Sequence, residues 1–405
     1  MRADADLPVD PALFRGTNQF EGRIVAEGAA GWMTTFDAAG GPPGGNPSAG
    51  VGMNDRFAAE REVAESDIWR LHGDRLYFFN PHRGLQVVDI ADPGAPAVVA
   101  SLPLAGAGEQ MYLLGDSHVL LLLRPPCGAW GTGGQAAVVV VDVRGDRAAE
   151  VARVPVPGQI IESRLVGTAL YLAAQDYRET AGRWENVLRV QPVDFADPAA
   201  PVVRAGLEFP GWPTALQATA EVLLLAEQAD YTRTRVRVVD ISDPHGAVRE
   251  RATLPVPGRV ADKFKLHARG DVVSVIAETW SPRLVTTLRT FRLRPDGGHE
   301  ALGRLEVSHG ESLFGTRFDG DRAYIVTFLR VDPLWIIDLG DPANPRVAGE
   351  LEIPGWSNHL HPLGDRLLTV GIDDVNGWRA AVQLFDVGDP ARPALLAKEI
   401  GRAHV

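Results

Sequence analysis

A chain of 405 residues, 45% of them hydrophobic, is long enough to bury a large core, and no apolar run in it approaches the length of a membrane-crossing helix. Its net charge of −12 argues against nucleic acid or an anionic membrane as partner. The single cysteine, Cys127, excludes an internal disulfide framework and any multi-thiolate metal site.

Residues 1–60 carry few periodic apolar positions, and the Gly/Pro-rich stretch at 39–52 reads as a flexible linker. No basic region followed by an apolar core opens the chain, so no secretion signal is visible. From about Asp67 onward one unit recurs. Its signature is a hydrophobic pair, an Asp and then Asp-Pro, as in VVDIADPGAP at Asp89, PVDFADPAAP at Asp194, VVDISDPHG at Asp240, IIDLGDPANP at Asp338 and LFDVGDPARP at Asp386. Degenerate copies at Asp142 and near Arg292 complete a series of seven anchors about fifty residues apart, a period typical of repeat arrays.

Every unit follows one order. A strand leads into a Gly-Asp hairpin (HGDRLYFF, LGDSHVLLLL, RGDVVSVIA, DGDRAYIVTF), then come a variable loop, a strand closing on the anchor Asp, the DPxxP turn and a strand ending in Pro-Gly. Four short antiparallel strands per unit predict an all-β fold, a β-propeller of four-stranded antiparallel blades rather than a solenoid. The blades fall at about 66–104, 109–156, 159–209, 212–256, 259–307, 311–353 and 356–399. Seven are visible, enough to close a ring, and a longer complete protein could hold an eighth. The last six residues, Ile400–Val405, match a translated sequencing adapter, so natural sequence is expected to stop near Glu399.

The segment from Gly310 to Gly371 and the following AVQLFDVGDPARP resemble the secreted bacterial and archaeal β-propeller family distantly related to WD repeats. The likeness covers about residues 60–399. In the first unit, Val63-Ala64-Glu65-Ser66-Asp67-Ile68-Trp69-Arg70 keeps Asp-Ile of the family's Val-Asp-Glu-Ala-Asp-Ile-Val-Lys run and replaces its lysine by arginine. The resemblance implies an extracytoplasmic location, in the secreted, periplasmic or cell-envelope space, and a C-terminally truncated chain. It supplies no catalytic residues.

Two constellations are candidates for chemistry. The loops after the second strand of each blade should share one face, and they are rich in aromatic and Arg side chains: Arg83, Trp130, Tyr177, Arg178, Trp184, Tyr231, Arg233, Trp280, Arg283, Arg330, Trp378 and Arg379. Such side chains dominate binding hot spots, and loops on a rigid scaffold are where they concentrate. The plainer alternative is that the aromatics pack between adjacent loops and the arginines stay solvated. The second set lies where units enter their inner strands: Glu65, Asp67, Glu109, Glu162, Asp262, Glu311, His359 and His361. Residues two apart on a strand face the same way, so both imidazoles are expected to point at the central channel, where carboxylates converging with histidines at its mouth would suit a divalent cation. The alternative is that these groups bond backbone at the blade entrances.

The leading functional reading is a non-catalytic, extracytoplasmic binding or scaffold propeller whose aromatic–Arg face meets a protein, peptide or glycan, with no cofactor assured. The alternative is a metal-assisted, lactonase-like hydrolase using the carboxylate/His cluster. A purely structural envelope propeller is the third reading.

Overall fold

A computed structural model describes residues 61–104, 107–124, 136–180, 182–280, 282–328, 332–353, 355–375 and 379–401; the Gly/Pro-rich segment at 1–60 lies outside them. The described residues form seven successive antiparallel sheets, each a meander whose strands pair in chain order. Sheet 1 comprises Trp69–His72, Arg75–Asn80, Gly84–Asp89 and Ala97–Leu102, and sheet 2 Ala107–Leu114, His118–Arg124, Ala136–Asp142 and Ala149–Val156. Sheet 3 runs through Gln159–Val166, Ala169–Thr180 and Arg183–Asp194 to a split outer strand, Val202–Val203 and Leu207–Pro210. Sheet 4 holds Trp212–Ala218, Val222–Asp230, Arg233–Asp240 and Arg249–Pro257, and sheet 5 Leu266–Arg269, Val272–Trp280, Leu284–Leu293 and His299–His309. Sheet 6 is Ser312–Asp319, Arg322–Phe328, Asp332–Asp338 and Arg346–Ile353, and sheet 7 Trp356–Leu363, Arg366–Asp373, Arg379–Asp386 and Ala394–Ile400. These are the β-propeller blades expected from the repeat.

Central strands such as His118–Arg124 and Ala136–Asp142 are almost continuously apolar because both of their faces are covered. In sheets 2 to 6 one face packs on the preceding sheet and the other on the next. Six buried apolar clusters among the described residues each join one neighbouring pair, from sheets 1 and 2 through sheets 6 and 7. One polar pair bridges sheets 2 and 3: the Tyr112 hydroxyl lies 2.7 Å from Ser163 Oγ, and burial pushes its pKa up to about 12.

The recurrent aspartates act through local turn chemistry. Asp338 Oδ1 accepts the Gly340 amide at 2.9 Å, and Asp341 Oδ1 accepts the Ala343 amide at 3.0 Å. The same two bonds recur at Asp89 and Asp92, at Asp194 and Asp197, at Asp240 and Asp243, and at Asp386 and Asp389. Each motif is two side-chain-closed turns in series, which reverse the chain between the third and fourth strands. An arginine then pairs with the first Asp, as Arg346 does with Asp338 at 2.8 Å and Arg249 with Asp240 at 2.8 Å.

The Pro-Gly that ends a unit has a different cause. Gly258 has φ +99°, and a Cβ there would sit 2.4 Å from the Glu278 carbonyl oxygen of the next sheet. Only glycine lets the connection pass that closely. Replacing Gly258 by Ala should therefore lower stability by about 1–3 kcal/mol. Gly270→Asn, at a hairpin with φ +59° and no atom near a new Cβ, should cost far less, because Asn tolerates that conformation. Denaturant midpoints of the two variants check this; equal losses would remove the close-approach explanation.

Candidate functional site

On sheets 3 to 5, the second-to-third-strand hairpins carry exposed aromatic rings. Trp184, Tyr231 and Trp280 stand on three consecutive sheets and are 71%, 98% and 73% exposed. Tyr177 meets Trp212, the first residue of the next sheet, edge to face with centroids 6.3 Å apart. That contact places the hairpin tips and the sheet-to-sheet connections at one end of the array, while the Gly-Asp hairpins turn at the other end of the same strands. Of the expected aromatic set, Tyr177, Trp184, Tyr231 and Trp280 are exposed on sheets 3 to 5. Trp130, Arg330 and Trp378 lie outside the described residues.

The arginines divide into two groups. Arg178 pairs with Glu208 at 2.9 Å, and Arg189 shares that carboxylate at 2.7 Å. Arg233 pairs with Asp230 at 2.6 Å. These cations are neutralised within their own sheets. Arg83, Arg283 and Arg379 are exposed and make no ion pair among the described residues.

The second set assembles differently from the expected cation site. Residues 61–67 run along the inner edge of the array, where Val63–Ala64 adds to the first strand of sheet 3 opposite Val166 and Leu165. The Arg61 guanidinium donates to the carbonyls of Ala220, Ile241 and Asp243 on sheet 4. Glu65 then sits between Arg164 of sheet 3, at 3.3 Å, and Lys263, which precedes sheet 5. Arg164 is fully buried and also holds Glu162 at 2.9 Å and the Leu216 carbonyl at 2.9 Å. Beside it, Asp262 accepts the Phe264 amide at 3.0 Å as the cap of a single helical turn, Lys263–Lys265, and pairs with Lys265 at 2.7 Å. The result is a strap of alternating charges rather than a bare carboxylate ring.

The remaining members are apart from it. Asp67 exchanges backbone hydrogen bonds with Met111 and accepts the Ile68 amide at 2.8 Å. Glu311 accepts the Thr327 hydroxyl at 2.6 Å within sheet 6. The side chain of Glu109 lies outside the described residues. His359 and His361 do share a side, stacked with centroids 6.3 Å apart. They flank Leu360, which packs against sheet 6, so they occupy the opposite, exposed side of sheet 7. Strand side chains stand perpendicular to their sheet, toward a neighbouring blade rather than along the sheet toward the axis, which is why the spacing gave the shared side but not the destination. Among the described residues no three His, Cys, Asp or Glu side chains gather as a metal site would need.

Sequence reasoning overlooked Arg164 and the lysines as site residues. The signal was present: the chain has only three lysines, Lys263, Lys265 and Lys398, and each is paired with a carboxylate, the last with Asp373.

Burial works to raise the Glu65 carboxyl, but Arg164 and Lys263 outweigh it and hold its pKa below the usual carboxylate range. A depressed folded pKa contributes stability that is complete above the ordinary carboxylate value of about 4.3 and is lost as pH falls through the lower folded value. Protection of the amides of residues 61–67, relative to their intrinsic exchange at each pH, should accordingly fall on acidification through that range. Glu65→Gln should give low protection already at neutral pH with little further change; a variant that exchanges like the parent would remove Glu65 as the clasp.

Residues 225–404 match the family model described as "Beta propeller domain". An uncharacterized protein of Methanocaldococcus jannaschii is 39% identical over 121 residues, 27% of this chain and 19% of its own length. One of Archaeoglobus fulgidus is 33% identical over 141 residues, 34% of this chain and 21% of its own. The matched region thus spans about a fifth of these relatives. Among solved structures, the periplasmic gluconolactonase PpgL of Pseudomonas aeruginosa is similar at 11% identity and a TM-score of 0.47, over 84% of this chain and 96% of that one. The family match covers a little under half of the chain, and the seven-sheet repeat carries the same propeller fold through the described residues.

Proposed function

We propose that this propeller is a non-catalytic binding or scaffold module, and that the hairpin tips of sheets 3 to 5 are its contact surface for a protein, peptide or glycan partner. The observation that carries the reading is the exposure of Trp184, Tyr231 and Trp280 on adjacent sheets at one end of the strands. Each ring costs little conformational entropy to hold and brings a large apolar area to a partner. Arg283 beside Trp280 and Arg83 on sheet 1 add cations for carboxylates or sugar hydroxyls. The sheets behind the rings are packed on both faces, so the surface is preorganised and a partner pays little to order it. An extracytoplasmic setting follows from the family resemblance and belongs to the same proposal.

The test is selection of ligands from a displayed peptide library and a glycan array. The parent should select binders from one of them. The double variant Trp184→Ala/Trp280→Ala should lose affinity for those binders at least tenfold, since truncating a hot-spot aromatic costs about 2 kcal/mol. Retained affinity would move the contact surface elsewhere.

A further inference from the structure

Seven sheets in a closed wheel need seven interfaces, and the described residues hold six buried clusters. The two faces left over belong to sheets 7 and 1. On sheet 6, Val326 pairs with Leu334 on the side turned to sheet 7, and both are fully buried. At the equivalent positions of sheet 7, Val370 pairs with Val382, and they are 40% and 43% exposed. On its incoming side, sheet 7 buries Leu360 and Leu367 against sheet 6. The equivalents on sheet 1 are Trp69, 45% exposed, and Leu76, half-buried. The leftover surfaces are therefore not alike. One is an outgoing blade face and the other an incoming one, each carrying the apolar pattern that the internal interfaces bury.

We propose that these faces hold one further four-stranded unit of the same repeat, following on from the last strand of sheet 7, which makes this an eight-bladed wheel. Such a unit carries one incoming and one outgoing face, so it covers both exposed surfaces at once and continues the six interfaces already formed. A four-stranded unit of this repeat occupies about fifty residues, and the relatives described above extend far beyond the matched region. A second copy joined head to tail would cover one face of each molecule and leave another pair open, which is the geometry of a filament rather than of a closed wheel.

Val370→Lys and Val382→Lys test this in two chains: the 405-residue protein, and the same protein carrying a copy of residues 356–401 after Gly401 as a stand-in eighth unit. In the shorter chain both substitutions should leave Tm unchanged, because the side chains already face water. In the longer chain Tm of the parent should rise, amide exchange over Trp69–His72 should slow, and the same substitutions should lower Tm by several degrees. Three results would overturn the proposal. Destabilisation of the shorter chain would mean that sheets 7 and 1 close directly on each other. Dissociation of an oligomer of the shorter chain by Val370→Lys would assign the face to a second copy. Unchanged exchange in the longer chain would show that the gap does not accept a blade.

Discussion

The structure depends on face-to-face burial between neighbouring sheets. Sheets 2 to 6 are apolar on both sides and covered on both, and every sheet is held by at least one neighbour. This is the energetic logic of a repeat array, in which stability is carried by nearest-neighbour interfaces. It explains why central strands such as His118–Arg124 and Ala136–Asp142 are almost continuously Val, Leu and Ala. It also makes the ends of the array special, since the first and last faces keep the composition of an interface.

Packing of this kind frees the loops. With the strands held on both sides, the hairpin tips bear no part of the core and vary in length and chemistry, while the turns at the other end are tied to one design. The exposed aromatics of sheets 3 to 5 follow from that division, since their strands are held by packing elsewhere along the sheet.

The charged strap solves a different problem. Residues 61–67 cross from the inner edge of sheet 3 to sheet 1, and a short strand of two residues is too small to hold itself there. Arg61, Glu65, Arg164 and Lys263 tie it across sheets 3, 4 and 5. Arg164 is buried among these partners, and removing one of them would leave a guanidinium without compensation, a costly state in a protein interior. The acidic residues at the blade entrances are thus engaged in joining sheets.

Sequence alone determined the repeat, the strand order, the hairpins and the seven sheet boundaries, because all of these rest on contacts between residues a few positions apart: an Asp with the amide two residues on, a glycine in its own turn, an apolar alternation along one strand. It also marked which loops would hold aromatic side chains. Tertiary structure decided what those local patterns cannot express. Glu65 and Lys263 are 198 residues apart in the chain, and nothing near either residue encodes the other. The destination of His359 and His361 likewise depended on which side of sheet 7 the neighbouring blade covers. Short-range turn chemistry is written residue by residue, whereas pairing across the array exists only once the sheets have stacked.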